Sequence, residues 1–264
     1  MLPKPEHLGP EYAAQFSDPS VVAAYPHRPP YPPDVFPILA GLVAGQPRAV
    51  LDIGCGTGDI ARGLAPLVER VDAVDISAPM LALGRTLPGG DHPRLRWLLG
   101  RAEDTASEPP YGLITAGESL HWMEWDVLLP RLARLLAPGG VLAIVGREPE
   151  PEPWGEELRP LFPRYSTNRQ FRPYDLIEEL VQRGLFTPLG ERVTEPMVVR
   201  QPVGVYVESF HSRNGLSRDR MTPEETAAFD REVAALVAPF VEDGAVELRM
   251  RGHIRWGLPS AAAP

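Results

Sequence analysis

A chain of 264 residues that is 44% hydrophobic and 23% charged has enough apolar side chains for a sizeable core, which excludes disorder as its default state. A net charge of −9, with no Lys/Arg block to offset it locally, opposes the phosphate attraction behind nucleic-acid affinity, so DNA or RNA is not an expected partner. The single cysteine excludes an intramolecular disulfide and a multi-cysteine zinc site and fits a cytoplasmic protein, and no run approaches the roughly 18 apolar residues needed to span a membrane.

Residues 1–37 carry aromatic and proline residues without clean periodicity, apart from a short helix expected at Asp18 to Tyr25, and read as an arm or lid over the core. Val35, Ile38, Leu39 and Leu42 recur at helical spacing, ended by Gly45 and Pro47. The apolar run Ala49 to Ile53 predicts a buried parallel strand, followed by a helix with Ile60, Leu64, Leu67 and Val68 on one face and a second strand at Val71 to Ile76. Further strands are expected at Leu95 to Leu99, Leu113 to Ala116 and Val141 to Val145, closing a core of residues 38–148.

After it, the proline–acid segment Pro149 to Pro153 and helical patches near Glu156 to Leu161 and Tyr174 to Arg183 predict an inserted cap, 149–185. Residues 186–264 offer strands at Glu191 to Arg200 and Val246 to Trp256, with helices at Val203 to Ser212 and Pro223 to Val241. Together these predict an α/β, Rossmann-like, doubly wound and mostly parallel sheet of seven strands.

The chemistry concentrates where the first strand meets Gly54-Cys-Gly-Thr-Gly58 and then a helix. Glycines permit a tight turn and close approach of backbone to a ligand. The spacing is Gly-x-Gly-x-Gly, so the third glycine of the dinucleotide fingerprint is missing, and Asp59 would face a pyrophosphate. Asp75, 21 residues past Gly54, ends the second strand where a carboxylate can accept hydrogen bonds from ribose hydroxyls. Cys55 reads as a small residue in a crowded turn.

In these residues the chain resembles the class I S-adenosylmethionine-dependent methyltransferases, and Leu136-Ala-Pro-Gly-Gly140 resembles the turn into their fifth strand. The resemblance covers about residues 20–150. It implies that Asp52, Gly54, Cys55, Gly56 and Gly58 cradle the methionine part of S-adenosyl-L-methionine, that Asp75 takes the ribose, and that Ile76 and Met80 pack on the adenine. Gly100-Arg-Ala-Glu-Asp104 resembles the adenine-edge segment, with Ala102 and Glu103 as contacts, although Arg101 stands where that family often has an acid. Tyr25-Pro-His-Arg-Pro-Pro-Tyr-Pro32 resembles an arm of the small-molecule branch that includes trans-aconitate methyltransferase. That likeness implies Arg28 at the methionine carboxylate and Tyr25 beside the sulfonium.

Gly117-Glu-Ser-Leu-His-Trp-Met123 follows the fourth strand at the carboxyl edge of the sheet, bringing Glu118, His121 and Trp122 to the expected site. His121 is the general-base candidate, with a positioning role as its alternative. Phe210, His211 and Arg213 are candidate substrate contacts, against the blander reading of a polar helix end; Arg147, Arg169 and Arg172 are candidate carboxylate partners. Trp122, Trp125 and Trp154 suit either a pocket or the core. Glu108-Pro-Pro-Tyr111 precedes the fourth strand and reads as a turn rather than an amino-group clamp. No histidine pairing argues for a metal.

The expected function is methyl transfer to a small-molecule acceptor, with oxygen favoured over nitrogen or carbon, by a monomer or homodimer that yields S-adenosyl-L-homocysteine. The alternatives are a non-catalytic adenosylmethionine-binding module and a nicotinamide-dependent oxidoreductase.

Overall fold

The computed structural model describes residues 4–5, 8–170, 172 and 174–260; of the arm expected over 1–37 and the cap over 149–185, residues 1–3, 6, 7, 171 and 173 lie outside these. Short apolar runs between glycine and proline punctuation form the parallel strands β1 (Ala49–Ile53), β2 (Arg70–Asp75), β3 (Leu95–Leu99), β4 (Tyr111–Gly117) and β5 (Leu136–Pro149). β6 (Phe186–Val193), β7 (Met197–Pro202) and β8 (Ala245–Pro259) complete the sheet, in the order β3-β2-β1-β4-β5-β8-β6. β8 runs antiparallel to β5 on one side and to both β6 and β7 on the other.

The single strand expected over Glu191 to Arg200 is therefore two, which makes eight strands among the described residues where seven were expected. Proline at 196 has no N–H for the ladder, and Thr194 accepts the Gly252 amide on its hydroxyl at 2.9 Å, so the chain turns there.

The helices are α1 (Pro10–Ala13), α2 (Pro19–Ala24), α3 (Val35–Leu42), α4 (Asp59–Leu64), α5 (Ala78–Thr86), α6 (Trp125–Leu135), α7 (Gly155–Leu158), α8 (Leu161–Tyr165), α9 (Leu176–Gln182), α10 (Val203–Phe210) and α11 (Pro223–Val237). Alternation along the strands sends Val50, Val71, Ala73, Leu113 and Ala143 toward α3 and α4. Leu51, Ile53, Val74, Ile114 and Leu142 pack on the other face with α6 and α9. A third cluster joins Trp154, Leu158 and Tyr165 to α10, α11 and the start of β8.

The segment expected as one cap thus divides. Residues around α7 and α8 join the third cluster, whereas α9 covers the sheet through Leu180, because Leu176, Ile177 and Leu180 form an apolar stripe. The arm, written as turns too short for periodicity, is pinned by point contacts. Arg220 pairs with Asp18 at 2.6 Å, the Gly215 amide donates to Gln15, and Ser77 Oγ donates to the Phe16 carbonyl.

Candidate active site

β1 ends in a loop whose glycines hold left-handed φ values of 59° at Gly54 and 55° at Gly56. A Cβ on Gly54 would lie 2.6 Å from that of Ser119, and one on Gly56 would lie 3.2 Å from the Tyr25 hydroxyl. At Gly54 conformation and space together exclude other residues; at Gly56 the left-handed φ disfavours them and Tyr25 would have to give way. Gly58 makes room for Trp97 instead. Asp75 closes the loop from β2: its carboxylate accepts the amides of Gly56 and Ser77, each at 2.7 Å. Burial pushes its pKa up, against the pull of those amides.

Above this floor lies a cavity of about 370 Å³ lined by Tyr25, Gly54, Gly56, Asp75, Ile76, Met80, Ala102, Glu103 and Glu118, with Phe16 of the arm across it. Met80 is buried while Ile76 is 65% exposed. Glu103 accepts the Glu124 amide at 2.9 Å, and Arg101 lies 3.5 Å from the same carboxylate.

Four expected contacts are placed elsewhere: Gly58, which lies against Trp97, and the three that follow. Asp52 projects from the strand into the interior, where it accepts the Thr115 hydroxyl at 2.8 Å and burial raises its pKa to about 7. Cys55 packs against the α3–α4 cluster, its thiol pKa pushed well up by burial, and neither residue lines the 370 Å³ cavity. Arg28 is drawn off by the turn after α10: it donates to the Ser212 hydroxyl at 2.8 Å and carbonyl at 2.7 Å, and stacks 4.3 Å from the Tyr25 ring.

A second cavity, of about 560 Å³, shares Phe16, Glu118 and Trp122 with the first. Its wall includes Arg28, His121, Glu152, Phe162, Tyr206, Phe210 and Arg213. The His121 ring packs 4.6 Å from that of Trp122 and lines the second cavity, not the first. The buried Nε1 of Trp122 has no hydrogen-bond partner among the described residues.

Glu118, at φ 52°, stands between the two cavities. Burial would raise its pKa, but Arg147 and Arg28, each 3.4 Å away, outweigh it and the net direction is down. Arg147 is fully engaged, donating also to the Pro29 carbonyl at 2.8 Å and Asp59 at 3.2 Å, and so is no free carboxylate partner. Arg169 likewise donates to the carbonyls of Pro163 and Arg164.

His211 is not a substrate contact. It is fully buried, with one ring nitrogen 2.7 Å from the Leu216 carbonyl and the other 2.7 Å from Asp230, so it ties α10 to α11. Trp125 and Trp154 belong to the core, their indoles donating to the Leu120 carbonyl and the Tyr206 hydroxyl. Tyr111 donates to Asp72 at 2.6 Å, so Glu108 to Tyr111 is a structural turn.

Phe16, Glu152 and Tyr206 were not foreseen as wall residues. Phe16 sits in a turn too short for a periodic signal, and the other two are brought in only by the third cluster.

Residues 50–140 match a family described as a methyltransferase domain. An uncharacterized methyltransferase of Mycobacterium tuberculosis is 36% identical over 112 residues, 41% of this chain and 55% of the relative. A trans-aconitate 2-methyltransferase of Azoarcus sp. is 37% identical over 113 residues, 40% of this chain and 42% of the relative. The chain therefore spans about half the length of the curated relatives it matches.

A solved structure assigned as a type II methyltransferase, from Anaeromyxobacter dehalogenans, is 26% identical, with a TM-score of 0.61 over 88% of this chain and 99% of its own. A SAM-dependent methyltransferase from Geobacter sulfurreducens, in complex with S-adenosyl-L-homocysteine, shares the fold at 16% identity, with a TM-score of 0.52 over 95% of this chain and 98% of its own. Among the described residues no helix is long and apolar enough to cross a membrane.

Proposed function

We propose that the chain is an S-adenosylmethionine-dependent methyltransferase acting on a small molecule, with oxygen as the methylated atom. The observation that carries this reading is the pair of cavities meeting at Phe16, Glu118 and Trp122, one floored by the glycine loop and Asp75 and the other walled by side chains. The methyltransferase domain over residues 50–140 supports it.

The first cavity fits adenosylmethionine: Gly54 and Gly56 present bare backbone, a carboxylate ends β2, and the unpartnered Trp122 Nε1 lies at the junction. Asp75 would hold the ribose, Ile76 and Met80 the adenine faces, Ala102 and Glu103 its edge, and Gly54, Gly56 and Tyr25 the methionine part. When bound, adenosylmethionine supplies a methyl group activated by its sulfonium.

The chain contributes alignment and the exclusion of water, for which Phe16 and Trp122 are placed at the junction. Arg28 and Arg147 keep Glu118 ionised, a fixed negative charge that favours a cation beside it. His121, on the acceptor side, can take the proton of a hydroxyl acceptor near neutral pH, whereas a carboxylate acceptor needs no base. A nicotinamide dinucleotide is disfavoured because Gly54, Gly56 and Gly58 lack the spacing of the third glycine in its fingerprint.

The test is calorimetry with adenosylmethionine and with a nicotinamide dinucleotide, followed by transfer of a labelled methyl to a panel of acids, phenols and amines. Asp75→Ala should weaken adenosylmethionine about a hundredfold. Parent-like binding by that variant overturns the ribose assignment; no binding by the parent overturns the function.

A further inference from the structure

We infer that the acceptor carries a carboxylate, bound by Arg213, and an apolar body that lies against Phe162 and Phe210. This rests on the reading of the 560 Å³ cavity as the acceptor site, and it concerns which molecule that site takes.

The argument begins with how the charges on that wall are matched. Glu118 faces Arg28 and Arg147, and Glu150 is held by Arg249 at 2.6 Å and by Arg251. Arg28 itself is spent on Ser212 and Glu118. Arg213 is different. Its guanidinium carbon lies 4.6 Å from the centre of the Phe210 ring and 5.4 Å from that of Phe162, and no group among the described residues accepts a hydrogen bond from it.

Burial and the positive charge of Arg28 hold the Arg213 pKa below its usual value, while Glu118 and Glu152, neither close enough for an ion pair, pull it up less strongly. A guanidinium remains charged at any physiological pH, and its planar fork matches a carboxylate through two parallel hydrogen bonds. Two aromatic rings already orient that fork, so little freedom is left to lose on binding. The same rings and Leu158 make the neighbouring wall apolar, and a volume of about 560 Å³ suits an organic acid of modest size.

Glu152 is the one acid on this wall with no ion-pair partner among the described residues. Burial raises its pKa while Arg213 lowers it, with the net direction up, so it is a weaker fixed charge than the arginine. It would be the anchor if the acceptor were an amine.

The experiment titrates the protein, saturated with S-adenosylhomocysteine, with 3-phenylpropanoate, 3-phenylpropanamide and 3-phenylpropylamine, and with the matching hexanoic acid, amide and amine. The acids should bind about tenfold tighter than their amides. Arg213→Met should remove that preference, Arg213→Lys should keep part of it, and the affinity for S-adenosylhomocysteine should stay unchanged in both. Amides or amines that bind as well as the acids, no binding of either acid, or a preference that survives in Arg213→Met would overturn the inference.

If Arg213→Met fails to fold, the parent's ranking of acid, amide and amine still decides. Failure of the methyltransferase reading is separately visible: S-adenosylhomocysteine would not bind, whether or not the acids do.

Discussion

The two cavities that meet at Trp122 are built on opposite plans. The smaller takes its shape from backbone: two left-handed glycines, a carboxylate fixed by two amides, and the ends of adjacent parallel strands. The larger takes its shape from side chains delivered by the arm, the turn after β4, the segment around α7 and α8, the end of α10 and the start of β8. Backbone at the carboxyl edge of a parallel sheet is costly to change, because the strands beneath fix it. Side chains brought together by a separate apolar cluster can be exchanged with little effect on the sheet. A fold of this kind can keep one ligand while varying the other, and substitutions on the two sides should separate accordingly.

The largest effect is expected on the backbone side. Valine at position 56 would need a left-handed φ that a β-branched residue rarely adopts, and its Cβ would press on the Tyr25 hydroxyl from 3.2 Å. Gly56→Val should reduce adenosylmethionine affinity by about a thousandfold or more, measured by calorimetry. Binding of 3-phenylpropanoate to the second cavity should fall far less. Equal losses for both ligands would mean that the two cavities are not independent.

A smaller effect is expected from His121, which lines the second cavity and not the first. If it removes a proton from a hydroxyl acceptor, His121→Ala should lower kcat by about a hundredfold, and the parent rate should rise with pH through the imidazole range. S-adenosylhomocysteine affinity should stay unchanged, since the imidazole lies on the acceptor side. A carboxylate acceptor sharpens the expectation: the loss should then be about tenfold or less, without that pH dependence. Full activity in His121→Ala would remove the residue from the mechanism and leave the acceptor side to Arg213 and the aromatic wall.

The same division decides how much could be read from sequence. The strands, the glycine loop and Asp75 lie within one stretch, and their apolar runs, glycine spacing and strand-end acid are local signals. Ile76, Met80, Ala102 and Glu103 followed from a family resemblance and do line the first cavity. The second cavity depends on contacts between residues about two hundred positions apart, such as Asn214 with the Tyr12 carbonyl, which periodicity does not encode. His211 looked like a pocket residue by its position at a helix end, yet Asp230, nineteen residues on, holds it inside. Asp52 was assigned to the loop by the family resemblance, but strand alternation turns it away. The strand expected over 191–200 failed because Pro196 and Thr194 redirect the chain while its apolar character continues.

The buried acid beneath the loop gives the smallest expected effect and the most direct way to ask whether that backbone is self-supporting. Asp52 is held by Thr115 within the interior, and burial raises its pKa from the usual value near 3.8 to about 7. The folded chain therefore binds a proton at position 52 that the unfolded chain has already released between about pH 4 and pH 7. Stability from this group is fully present below pH 4 and is lost as pH rises to 7, because ν_U is smaller than ν_N throughout that window. Asparagine keeps an acceptor for the Thr115 hydroxyl and carries no charge to desolvate. Asp52→Asn should therefore melt above the parent at pH 8, at about 2–4 °C for each kcal/mol gained, and the gap should close as pH falls toward 4. Adenosylmethionine affinity should change by less than about threefold, since the side chain lies outside that cavity. A large loss of affinity with normal melting would show that Asp52 shapes the loop from below, and the first cavity would then depend on side chains as the second does.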